Sequence, residues 1–88
     1  MVRVTIGSAL QRHVPCPPVS VEATTVREAL EQVFAREPRL RGYLLDDQGM
    51  LRRHMAVFVN GSRVKDRRTL GDPITDGEVA VLQALSGG

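Results

Sequence analysis

The sequence predicts an α+β domain in which a mixed sheet of four to five strands is crossed by one main helix. Three observations predict it. Apolar and polar residues alternate at period two over residues 2–6 and 19–23; a capped apolar stripe at helical spacing begins at Thr25; and two apolar runs, 55–59 and 78–85, are divided by turn residues. A length of 88 residues holds one compact domain. We assign residues 1–85 to it and residues 86–88 to a flexible tail.

The first strand is Val2-Arg3-Val4-Thr5-Ile6, followed by a turn at Gly7-Ser8 and a loop with Pro15, Pro17 and Pro18. Val19-Ser20-Val21-Glu22-Ala23 alternates in the same way and is expected to pair with the first strand as a hairpin. Thr25-Val26-Arg27-Glu28 has capping-box spacing, the Thr25 hydroxyl accepting from the Glu28 amide while the Glu28 carboxylate reaches back. Val26, Ala29, Leu30, Val33 and Phe34 then form one helical stripe, and Pro38 marks the end of the helix.

Residues 39–54 carry no clear period. A short turn at Tyr43-Leu44-Leu45 and a polar loop at Asp46-Asp47-Gln48-Gly49 are expected there. Met55-Ala56-Val57-Phe58-Val59 reads as a central strand covered on both sides or nearly so. Asn60-Gly61 is a hairpin signal, because both residues tolerate the positive φ of a type I′ turn, and Arg63-Val64 forms the short return strand. Thr75-Asp76-Gly77 turns the chain into a last strand over residues 78–85. The order strand, strand, helix, strand, short strand, strand is a β-grasp plan.

Composition excludes several kinds of work. A domain this small has little capacity to enclose a substrate pocket beside its core, so its function is expected at the surface and without a bound cofactor. One cysteine, Cys16, and two scattered histidines, His13 and His54, make no disulfide and no metal-ligand spacing. Cys16 reads as a passive loop thiol, and neither histidine has a spaced partner. Asp76 supports its turn. Twelve basic residues against ten acidic ones leave a net charge of +2. Nucleic-acid binding is not expected, since the only aromatics are Phe34, Tyr43 and Phe58, two of them on expected core faces. No apolar run reaches the roughly 20 residues of a membrane span and no signal-peptide plan opens the chain, so a cytoplasmic location is expected.

The informative feature is the ending Ser86-Gly87-Gly88, directly after the last strand. Three extended residues reach roughly 10 Å, enough to carry the terminal carboxylate into a partner's buried site. Glycines leave nothing to clash there, although ordering them costs more backbone entropy than ordering other residues.

The run Val57-Phe58-Val59-Asn60-Gly61, then Leu70-Gly71-Asp72-Pro73-Ile74-Thr75-Asp76-Gly77-Glu78-Val79, and the ending Gly87-Gly88 together resemble the MoaD/ThiS family of sulfur carriers. The stretch from Leu44 to Arg53 is similar to the branch serving cysteine biosynthesis. The resemblance implies that Gly88 is adenylated by an E1-like (MoeB/ThiF-like) enzyme using ATP. A sulfur donor such as sulfide, a persulfide or a sulfurtransferase then leaves a thiocarboxylate for a sulfur-accepting synthase. The chain would itself be no enzyme. Gly87 and Ser86 would thread into the partner, and docking would use the face around the final strand, with Phe58 and Leu85 flanked by Arg63 and Arg68. The acceptor, whether a molybdopterin precursor, the thiamine thiazole, a cysteine precursor or a tRNA base, stays open. So do a ubiquitin-like modifier joined through Gly88 to target lysines and a non-catalytic β-grasp interaction module.

Overall fold

The period-two stretch at the N-terminus forms β1 (Val2–Ile6), whose Val2, Val4 and Ile6 are buried while Arg3 is exposed. The computed structural model describes residues 1–83. The elements that follow are α1 (Ser8–Gln11), β2 (Val19–Val21), α2 (Val26–Arg36), α3 (Arg39–Leu44), β3 (Met55–Val59), β4 (Ser62–Arg63) and β5 (Gly77–Gln83). The strands make one mixed five-stranded sheet in the order β2-β1-β5-β3-β4. This is the α+β, β-grasp arrangement that the sequence predicts.

Register follows from the side-chain period. β1 pairs antiparallel with β2 and parallel with β5, so that Val4 faces Val79 and Ile6 faces Val81. β3 pairs antiparallel with β5, setting Val57 opposite Val81 and Val59 opposite Val79. All these valines lie on one face, and a one-residue slip would turn each of them toward water. α2 covers that face with Val26, Ala29, Leu30, Val33 and Phe34, the stripe read from the sequence. Full burial of each larger side chain contributes about 1.5–3 kcal/mol.

The start of α2 is capped as expected, the Glu28 amide donating to Thr25 Oγ1 at 3.1 Å. The reciprocal contact differs by one residue: the Glu28 carboxylate accepts from the backbone N–H and the hydroxyl of Thr24, both at 2.8 Å. These bonds hold the carboxyl below the ordinary glutamate range.

Two short helices replace expected loop. α1 follows Gly7, where only a turn was expected, and buries Leu10. α3 begins at Arg39 with Pro38 as its N-cap, so that the proline expected only to end α2 also precedes a second helix, which buries Leu40 and Leu44. The polar loop 46–49 is present: Asp46 Oδ1 accepts from the amides of Gln48 and Met50, and Gly49 has a φ of 79°. β2 stops at Val21 rather than at residue 23, β4 is residues 62–63 rather than 63–64, and β5 begins at Gly77. Asn60 and Gly61 have φ of 49° and 88°, as a type I′ turn requires.

The Asn60 side chain fastens this hairpin to the turn before β5. Its Oδ1 accepts from the Glu78 amide at 2.8 Å and its Nδ2 donates to the Asp76 carbonyl at 3.3 Å. At Gly77 the φ is 118° and a Cβ would overlap the Asn60 carboxamide, so glycine is required on two counts.

Residues 64–75 are tied down by two carboxylates. Asp72 accepts from the amides of Lys65 and Asp66, both at 2.9 Å. Asp66 accepts from the Thr69 hydroxyl and from the amides of Thr69, Gly71 and Arg68. Those donors, the Thr69 hydroxyl foremost, hold the Asp66 carboxyl down from 3.8 to about 2. The same segment joins α2, with the amides of Val26 and Arg27 donating to the carbonyls of Asp72 and Leu70. Leu70, fully buried, pays for its place with a φ of 57°, rare for a side-chain-bearing residue.

Two predictions follow from these local bonds. Thr25→Ala removes the α2 cap and should lower unfolding free energy by about 1 kcal/mol, read from the urea midpoint at unchanged slope. The folded Asp66 carboxyl is more acidic than an unfolded aspartate, so its contribution is complete above the unfolded pKa of about 3.9 and is lost as pH falls through about 2. A carbon NMR titration should place its midpoint near 2, and Asp66→Asn should flatten the loss of stability between pH 5 and pH 2. A midpoint near 3.9 would refute the reading.

Candidate functional site

The candidate site is the end of the sheet at which β5 finishes. β5 runs antiparallel to β3 and parallel to β1, so Gln83 stands opposite Met55 while Val81 stands opposite Ile6. Just past β1, the Gly7 amide donates to the Val81 carbonyl at 2.8 Å. A Cβ at Gly7 would lie 2.9 Å from Leu82 Cδ2, so the glycine permits this close approach. Gln83 thus lies between the start of α1 on one side and residues 52–54 on the other. The residues on which the sequence reading placed the chemistry, Ser86, Gly87 and Gly88, lie outside the described residues, as does Leu85 of the docking group.

The second feature is the sheet face turned away from α2. Alternation brings Thr5 of β1, Ala80 and Leu82 of β5, Ala56 and Phe58 of β3, and Arg63 of β4 to this face. Leu82 is 42% exposed and Phe58 half-buried. With Ala56 buried and Phe58 half-buried on this face, β3 is covered on one side and nearly so on the other, within the expectation. Ala56 is small enough to be buried by its neighbours, but it stands apart from the main core cluster.

Of the docking residues read from the sequence, Phe58 and Arg63 come together: they pair across β3 and β4, and the Arg63 guanidinium lies 5.6 Å from the centre of the Phe58 ring. That cation–π contact shields part of an apolar face without closing it. Arg68 lies instead in the segment after β4, where its backbone amide donates to Asp66.

Other reactive side chains take structural places. Cys16 is buried, and burial together with the Glu37 carboxylate pushes its thiol up from the ordinary range, the opposite of an activated nucleophile. His13 stacks on Tyr43 with ring centres 5.4 Å apart, and His54 is exposed just before β3. Of the aromatics, only Phe34 is a core residue. Among the described residues no group of three or more His, Cys, Asp or Glu side chains could hold a metal ion. No helix among them is long and apolar enough to cross a membrane. Sequence reasoning missed a basic cleft of about 570 Å³ beside β4, lined by Arg52, Arg53, Arg63 and Arg67 with Asp46, Met50 and Leu51. Composition recorded the charge, but the arginines are scattered in sequence and only the fold gathers them.

Known proteins agree with this architecture. A chain of the Amycolatopsis orientalis BexX/CysO complex superposes with a TM-score of 0.82 at 28% identity, covering 100% of both chains. CysO of Mycobacterium tuberculosis gives 0.80 at 27% identity, covering 97% of this chain and 100% of its own. SAMP1 of Haloferax volcanii gives 0.78 at 26% identity over 99% of this chain and 98% of that one. No curated protein matches in sequence. The family model described as "ThiS family" matches residues 16–88, most of the chain, including β3, β4 and β5. That match, joined to a β-grasp sheet with β5 at its middle, establishes that the chain belongs to the ThiS family of ubiquitin-like sulfur carriers.

Proposed function

We propose that the protein carries sulfur as a thiocarboxylate on Gly88 and that its folded part serves to present that terminus to partner enzymes. The observation that carries this reading is the position of β5. It is held by strands on both sides and ends at the sheet's end, so whatever follows Gln83 is launched from the most firmly held strand of the domain. The family match, which runs through Gly88, supports the same reading.

The chemistry divides between the chain and its partners. A Gly88 carboxylate oxygen attacks the α-phosphorus of ATP held by an E1-like, MoeB/ThiF-like enzyme and expels pyrophosphate, giving an acyl adenylate. Sulfide then attacks the acyl carbon and expels AMP, leaving the thiocarboxylate. Activation is necessary because a free carboxylate is a poor electrophile, its charge being shared by two oxygens. The enzyme supplies the nucleotide site, while this chain supplies the acyl group and a surface by which to hold it. Ser86 and Gly87 would thread the partner's channel.

Docking falls to the open face of Phe58, Ala80 and Leu82, which is apolar at its centre and bears Arg63 at its rim. A CysO protein forms a complex with BexX, which favours a protein partner for this chain as well. The resemblance of the stretch from Leu44 to Arg53 to the branch serving cysteine biosynthesis favours a cysteine precursor as the acceptor, over molybdopterin and thiamine precursors. A second reading, conjugation through Gly88 to lysines of other proteins, is supported by likeness to SAMP1, a small archaeal modifier protein.

Intact mass spectrometry after incubation with an E1-like enzyme, ATP and sulfide tests carriage. The full chain should gain the difference between sulfur and oxygen, and a chain lacking Gly88 should not. An unchanged mass with every cognate activator would sink the reading. Lysine-linked adducts in a denaturing gel, lost with Gly88, would select conjugation. Phe58→Asp leaves the buried cluster untouched, so it should keep the fold while raising the KM of the activating enzyme for the carrier by at least about tenfold. An unchanged KM would remove this face from docking.

A further inference from the structure

We infer that the arginine-lined cleft beside β4 is an anion-binding dock for an acidic segment, rich in Asp or Glu, of the partner enzyme. The inference rests on the proposed carrier role for the existence of a partner, but on separate residues for its chemistry. Arg52, Arg53, Arg63 and Arg67 line a cleft of about 570 Å³ with a single acidic side chain, Asp46. Among the described residues none of these four arginines has a carboxylate within ion-pair distance, whereas Arg27, Arg39 and Arg41 on the helical side are each paired with a glutamate. Four like charges facing one hollow repel one another, and an anion placed among them removes that repulsion.

Three of the arginines are also held in place. Arg67 Nη2 donates to the Arg52 carbonyl at 2.7 Å, Arg52 Nε donates to the Gly42 carbonyl at 2.9 Å, and Arg63 rests over the Phe58 ring. A guanidinium has five N–H donors, so each keeps several free for a carboxylate, and part of the entropy cost of ordering it is already met by the fold. The cleft is continuous with the apolar docking face through Arg63. It also lies toward the sheet end where β5 stops, since the Met55 amide donates to the Arg52 carbonyl and Met55 faces Gln83. A partner gripping the cleft would hold the root of the terminus as well.

Three features favour carboxylates on a protein over a free polyphosphate. The cleft adjoins a face suited to a protein surface. Asp46 at its edge would repel a dense multivalent anion. Its anion-facing groups are side chains drawn from separate segments rather than a nest of successive backbone N–H groups of the kind that cradles phosphates.

The test uses the full chain, labelled with nitrogen-15 and titrated at low salt with tetraglutamate, tetraglutamine and inorganic pyrophosphate in parallel. Tetraglutamate should shift the amides of Arg52, Arg53, Arg63 and Arg67, and tetraglutamine should not. The double variant Arg53→Gln/Arg63→Gln, whose sites are exposed, should keep its dispersed spectrum and bind tetraglutamate at least about tenfold more weakly. No response to tetraglutamate, a response centred elsewhere, or equal binding by the variant would overturn the inference. Pyrophosphate binding as tight as tetraglutamate or tighter would assign the cleft to a phosphate ligand and overturn it too. Gly88 is never activated in this experiment, so failure here and failure of sulfur transfer are read separately.

Discussion

The structure depends on the pairing of β5 with β1 on one side and β3 on the other. β2-β1 and β3-β4 are each a two-stranded antiparallel unit, a form marginal in water by itself. Only the last strand joins them, and its Val79 and Val81 are fully buried between the valines of both neighbours and α2. The β1–β5 ladder joins residues some seventy-five positions apart, so closing the sheet costs loop entropy that the buried valines must offset. α2 alone does not unite the halves; it lays its stripe across a sheet that β5 completes.

The same arrangement explains why one sheet face stays open without making the molecule adhesive. Small alanines occupy its centre, Arg63 lies over Phe58, and the free edge at β4 is only two residues long, followed closely by Lys65. A short, positively charged edge resists pairing with another chain. The apolar area that remains suits a reversible complex.

How much of this was legible in the sequence varied with the length and period of each segment. β1 was read to the residue because it carries a strict period, β3 because its apolar run is bounded by turn residues, the start and stripe of α2 from its cap and period, and the Asn60-Gly61 turn because positive φ narrows the choice of residues. α1 and α3 were missed because each is too short to show a stripe. Pro38 reads equally as a helix stop and a helix start, and Gly42 lowers the helical propensity of α3. Burial of Leu10, Leu40 and Leu44, a tertiary effect, decides both. Phe58 and Arg63 were legible as a pair once the hairpin was read. The cleft was not, because residues 52–53, 63 and 67 meet only after β3 and β4 have turned. Arg68 was grouped with them by proximity in sequence alone, and the Asp66 bonds set its backbone in a different turn.

Placing the terminal strand in the middle of the sheet also makes the fold a test of chain integrity. A polypeptide that lacks Gly77–Gln83 loses the strand that both halves require, and its two strand pairs are left unjoined and open to proteolysis.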